Sequence, residues 1–230
     1  MKTVLPQGHP FLGDGEIHFL WWFIQGSIMD PEMRDHLRRA WGFCARHGLG
    51  YLAVDTAYRH GFVHGPAILY DDIMERAAKA LAVRGPLAAR RAALNLRTAG
   101  PCPLCDLSLR PATGSGSFSG ELLAQGRDLI ELRRFAAESH AGWRPHVCGV
   151  CAADDRPGRC RAHLHEAIAA GDEVALVRGR ATVRTIGAGV AAFHRSFRWE
   201  ERDTVTAVDR GSLLAAIGWC GGWEEILAWL

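Results

Sequence analysis

Apolar residues recur at helical spacing along most of this chain. Residues 16 to 28 place Ile17, Leu20, Trp21, Ile24 and Ile28 on one face, after a Pro- and Gly-rich opening that reads as irregular. Residues 30 to 41 carry a helix start: Asp30 caps, Pro31 suits the first helical position, and Glu32 favours the first turn. Met33, Leu37 and Trp41 form the apolar stripe, and Gly42 ends that helix. Residues 49 to 60 and 66 to 83 predict two further helices, the second with Tyr70, Ile73, Met74, Ala77 and Leu81 on its inner face. The Arg/Ala-rich stretch 84 to 99 has no decisive period. Residues 121 to 139 predict one helix through Leu122, Leu129, Leu132 and Ala136, and Gly171 suits the end of a short helix. From 172 to 199, Val183, Ile186, Val190, Phe193 and Phe197 keep helical spacing, while the alternating "EVALVRGRATV" leaves its first half open between helix and strand. The C-terminus reads as two apolar helical pieces around Gly221 and Gly222, with Trp219, Trp223 and Trp229 over the core.

The fold class that follows is mostly α. The Gly/Ser stretch "PATGSGSFSG" (111–120) is the linker candidate. It separates an N-terminal helical region, 1–110, from a C-terminal one, 121–230, unless the whole forms one compact domain. At 230 residues and 48% hydrophobic content the chain supports a real core. The net charge is +2, and lysine occurs only at Lys2 and Lys79, so nucleic-acid binding has no global electrostatic support. The apolar run 19–29 is about half the roughly 20 residues a membrane span needs. With no secretory signal visible, a cytoplasmic location is expected, and closely spaced cysteines there indicate metal or redox chemistry in place of disulfides.

Four short pairs dominate the chemistry: Cys44/His47, Cys102/Cys105, Cys148/Cys151 and Cys160/His163. Zinc takes four tetrahedral thiolate or imidazole ligands, and a pair spaced by two residues aims two groups at one ion from a single turn. Eight ligands make two Cys3His sites, and of the seven cysteines only Cys220 is left over. Cys148/Cys151 with Cys160/His163 is the preferred local site, because only eight residues separate the pairs and a short loop closes cheaply. Cys44/His47 then shares an ion with Cys102/Cys105 across 54 residues. The crossed pairing of Cys102/Cys105 with Cys160/His163 stays open, and His165 competes with His163. No βαβ setting supports a thioredoxin-like motif, and neither CxxC continues as the CxxCH of haem attachment. Two Zn2+ ions with a structural role are expected: closed Cys3His sets leave no position for substrate, and one structural zinc contributes on the order of 10 kcal/mol.

At these residues the chain resembles a group of uncharacterised bacterial helical zinc-binding proteins with repeated CPxC…GFCxxH units. "DPEMRDHLRRAWGFCARH" (30–47) and "GRCRAHLHEA" (158–167) look like second halves of such units, and "GPAILYDDIMERA" (65–77) like the helix that follows. The resemblance implies zinc and helices, not a reaction. The family pattern places a CPxC some 35 residues before Cys44, where this sequence has "HPFL" (9–12). Cys44 and His47 must therefore recruit another pair or use His9.

The candidate catalytic cluster is His60, His64, Tyr70, Asp71 and Glu75, which can meet if the 60–65 loop folds back on the next helix; a histidine beside a carboxylate is an acid–base pair. The blander alternative puts Tyr70 in the core, Asp71 and Asp72 in a solvated turn and the histidines in a loop. His18 beside Trp21 and Trp22 is an aromatic-pocket candidate weighed against core packing. The arginines at 90–97, 156–161 and 178–184 read as solvated surface. Two function classes remain: a binding or adaptor module with structural zinc, acting on a protein or small molecule, and an enzyme of bacterial specialised metabolism with a pocket between helices. A deep pocket at His60, His64 or Tyr70 favours the enzyme, and a flat apolar surface around Trp219–Trp229 favours the adaptor.

Overall fold

The computed structural model describes residues 11–59, 62–108, 119–201 and 204–230. His9, His60 and residues 111–118 of the linker candidate lie outside them. Among the described residues every regular element is a helix, with no strand.

The first half holds α1 (Asp14–Ile24), α2 (Pro31–Ala40), α3 (Ala45–Tyr58), α4 (His64–Leu81), α5 (Ala88–Asn95) and the single turn α6 (Pro103–Asp106). The second holds α7 (Gly120–Arg127), α8 (Ile130–Glu138), the single turns α9 (His140–Trp143) and α10 (Gly149–Ala152), then α11 (Arg161–Ala169), α12 (Glu173–Arg195), α13 (Ala207–Gly221) and α14 (Glu224–Trp229). Helix α2 starts as its sequence dictates: Asp30 accepts a hydrogen bond from the Met33 N–H at 2.7 Å, and Pro31 follows. It ends with Trp41 in the left-handed region at φ 63°, and the Gly42 N–H returns to the Leu37 carbonyl at 2.7 Å. A bulky residue holds that conformation only if other contacts fix it. Trp41 is fully buried, and its indole N–H donates to the Arg97 carbonyl at 3.0 Å.

Helix α3 is the axis of the molecule. Its residues from Leu49 to Thr56 are buried on every side, which marks a helix enclosed by its neighbours. Helices α1, α7, α8, α13 and α14 surround it, while α12 lies along α4 and α13. Residues from both sides of the 111–120 stretch therefore share one core, in which Ile17, Leu20 and Phe23 join Leu132, Phe135 and Ile226. Helices α9 and α13 cross where Gly142 meets Gly211; a Cβ on Gly211 would sit 2.2 Å from the Ser139 carbonyl oxygen, so only glycine permits that approach.

One element differs from the sequence expectation, and two that the sequence leaves open prove helical. The 121–139 helix breaks at Asp128, whose extended backbone ends α7 and whose carboxylate accepts from the Ile130 N–H at 2.9 Å to start α8. The ambiguous half of 172–199 is helix: Asp172 caps it through the Ala175 N–H, and the buried residues Ala175, Leu176, Gly179 and Val183 recur at helical spacing while Val174 and Val177 face out. The undecided 84–99 stretch contains α5. Trp219 and Trp223 are fully buried, the first edge-on to Trp41 and the second stacked near Trp143. No helix among the described residues is long and apolar enough to cross a membrane.

Candidate metal centres

Two groups of four side chains converge: Cys44, His47, Cys102 and Cys105 in one, Cys148, Cys151, Cys160 and His163 in the other. Both use the same two local devices. Each CxxH cysteine is the N-cap of a helix, with Cys44 ahead of α3 and Cys160 ahead of α11, and its histidine sits three residues on in the first turn. Each CxxC begins a single helical turn, α6 after Cys102 and α10 after Cys148, which folds its second cysteine back beside the first.

The distances fit a tetrahedral ion. Zn–S bonds of about 2.3 Å and Zn–N bonds of about 2.0–2.1 Å put sulfurs about 3.8 Å apart and sulfur about 3.5 Å from nitrogen. In the first centre, His47 Nδ1 is 3.4, 3.3 and 3.5 Å from the Cys44, Cys102 and Cys105 sulfurs, and Cys44 and Cys105 are 3.9 Å apart. In the second, His163 Nδ1 is 3.3, 3.5 and 3.2 Å from Cys148, Cys151 and Cys160, and Cys151 and Cys160 are 3.8 Å apart. His165 is not in the group, and its Nδ1 is buried without a hydrogen bond. Cys44 and His47 thus meet the distant CPLC pair.

The thiols of each group also act strongly on one another. Sharing hydrogen bonds splits the thiols: contact with Cys44 drives Cys102 far down, while contact with Cys102 drives Cys44 far up. In the second centre, contact with Cys151 pushes Cys148 down, and contact with Cys148 pushes Cys151 and Cys160 up. Three thiolates at this separation repel one another in the absence of a positive charge among them. Cys220 is outside both groups; burial pushes its thiol up to about 12, the state of an inert core cysteine.

The surroundings of the two histidines differ. The outer ring nitrogen of His47, Nε2, lies 3.0 Å from the Glu16 carboxylate, and both residues are almost wholly buried. Burial alone would raise Glu16, but hydrogen bonds from His47, Arg46 and the Gly13 N–H hold it well below the usual carboxylate range. Arg46 closes the arrangement by pairing with Glu16 and donating to the Phe11 carbonyl at 3.0 Å. A carboxylate on the far nitrogen fixes the tautomer that leaves Nδ1 free for metal. Two links hold CPLC at the start of α3: the Ala99 N–H donates to the Arg39 carbonyl at 3.0 Å, and Trp41 holds Arg97. The α13–α14 junction passes between the centres. Gly221 packs so close that a Cβ would lie 2.6 Å from the Ala45 nitrogen, and a cavity of about 310 Å³ there is bordered by Cys44, Cys151, Cys160 and His163.

Of the described catalytic candidates, only His64 and Asp71 approach one another, both through His194, whose ring lies 5.8 Å from that of His64. Tyr70 is wholly buried on the inner side of α4. Asp71 pairs with His194 at 2.8 Å, and Glu75 with Lys79 at 2.7 Å in the open. Asp71 and Glu75 share a face with His64, but the rise of about 1.5 Å per residue separates them along the helix. His64 instead borders a cavity with Asp55, Tyr58 and Phe197. His18 is exposed. Comparison with protein-family models, curated proteins and solved structures finds no match.

Glu16 and Arg46 were not singled out from the sequence, since nothing local links Glu16 to His47. Asp55 left a signal: it is the one acidic residue in the apolar stretch "GLGYLAVDTAY" (48–58).

Proposed function

We propose that this chain is a helical binding module held together by two structural zinc ions. The observation that carries the proposal is the pair of closed Cys3His groups with tetrahedral spacing. Three thiolates and an imidazole suit zinc better than an iron–sulfur cluster, and four protein ligands leave no open position for a reacting water. The zinc would supply cross-links: one ties the start of α3 to the CPLC turn, the other ties α10 to α11. A reducing, cytoplasmic setting keeps the six thiols available. The likeness to the bacterial CPxC…GFCxxH proteins agrees with this assignment.

Binding is favoured over catalysis because, of the described acid–base candidates, Tyr70 is sealed in the core and Glu75 pairs with Lys79 in the open, and a small ligand over a flat protein surface because Trp219 and Trp223 are interior. Elemental analysis tests the proposal: two zinc ions per chain are expected, and Cys148→Ser should remove one and strongly destabilise the fold. Unchanged metal content in that variant would refute the local site.

A further inference from the structure

The cavity beside His64 lies away from both metal centres. It measures about 450 Å³, within the range of small-molecule sites. Its walls are apolar and aromatic, from Ile24, Ile28, Ile68, Phe62 and Phe197, and the His64 ring stacks on Phe197 at 4.3 Å.

Asp55 of α3 lines this cavity at only 2% exposure, and one of its carboxylate oxygens is buried without a hydrogen bond. The neighbouring Tyr51 hydroxyl is equally buried and also lacks a partner. Gly65 lets the α4 backbone pack against both and leaves the cavity free of a side chain there: a Cβ would lie 2.6 Å from the Tyr51 oxygen and 3.7 Å from Asp55 Oδ2. Burying a carboxylate with no partner is costly, and such groups concentrate where a ligand completes them. Burial raises the Asp55 carboxyl to about 7, and Arg59, which lines the same cavity without a hydrogen bond to the carboxylate, offsets that only in part. The charged group facing it from its own helix is Arg59, whose guanidinium lies over the Trp21 ring, 5.5 Å from its centroid. From the packed helices, His64 is held toward neutrality by burial and by His194, and Arg34 acts on Tyr51 from α2.

We infer that this cavity binds a small organic cation, a primary ammonium or amidinium on an apolar or aromatic body, with Asp55 as its counter-ion. The ammonium or amidinium N–H groups satisfy the Asp55 carboxylate, and the aromatic walls favour a cation over a neutral guest. The inference rests on the binding-module proposal and names the ligand class.

The test is calorimetric titration of the metal-loaded full chain at pH 8 with phenethylammonium and benzamidinium, beside neutral 2-phenylethanol and anionic 3-phenylpropionate. One site per chain is expected, with an amine bound at least tenfold more tightly than either control. Asp55→Asn should weaken amine binding at least tenfold while metal content stays the same. Phe62→Lys, at an exposed rim position, sets a like charge at the mouth and should weaken binding without touching the core; this variant keeps the test alive if Asp55→Asn fails to fold. Equal binding by both variants, tightest binding of the carboxylate, or no amine binding by a folded chain with its metals in place would overturn the inference. A metal count other than two contradicts the zinc proposal instead, so the two failures are separable.

Discussion

The two metal centres share one donor set and one geometry, yet they differ in reach and in support. The second gathers its ligands within residues 148–163; the first joins pairs 54 residues apart. The histidine of the first is braced by the buried Glu16, itself paired with the half-buried Arg46. His163 is only partly buried. With ions bound, the same chemistry would do two jobs: the local centre would order the 148–163 loop, and the distant centre would fasten the axial helix to a segment that sequence order alone leaves far away.

That contrast predicts unequal consequences. Stripping both metals with a strong chelator should have the largest effect: a structural zinc contributes on the order of 10 kcal/mol, and a domain is stable by only about 5–15. The cooperative thermal transition followed by circular dichroism should disappear. A native-like transition in metal-free protein would mean that the hydrophobic core suffices.

Next in size is the difference between Cys102→Ser and Cys148→Ser. Each should release one ion. An unfolded chain retains metal more readily across eight residues than across 54, and loop entropy sets that difference at about 2 kcal/mol. Metal bound in the unfolded state subtracts from the net stabilisation. Cys102→Ser should thus be the more destabilising by about that amount in denaturant titrations, and a reversed order would break the comparison.

Glu16→Gln probes the bracing alone. Losing the carboxylate behind a ligating histidine typically costs 10–100-fold in metal affinity. Competition with a chromogenic chelator should show the first ion leaving more readily and the second unchanged.

The smallest effect isolates a polar group belonging to neither centre. The Asp55 carboxyl, raised from 3.8 to about 7, binds a proton in the folded state that the unfolded state has lost above its own pKa. Stability therefore falls as pH climbs from the unfolded pKa through the folded one, and is flat above it. Between pH 6 and 8 the wild type should lose on the order of 1–2 kcal/mol. Asp55→Asn should remove this component and raise the melting temperature at pH 8. An identical pH slope in both proteins would place its origin in titrating groups other than Asp55.

The half-sites and most helices were legible because both are local codes. CxxC and CxxH are turn-length spacings, Asp30-Pro31 announces a helix start, and Gly171 an end. What escaped depends on three-dimensional context. Asp128 breaks a helix without interrupting the apolar stripe. Alternation in "EVALVRGRATV" looks like a strand until Val174 and Val177 prove to face solvent. The Glu16–His47 contact exists only once α1 has docked. Asp55 was readable as a lone charge in an apolar helix, but its meaning required the cavity above it.

The most direct measurement is metal stoichiometry by mass spectrometric elemental analysis of purified wild type, Cys102→Ser and Cys148→Ser. Two zinc ions per chain in the wild type and one in each variant are expected. Substoichiometric metal in the wild type, or a variant that keeps both ions, would contradict two independent Cys3His centres.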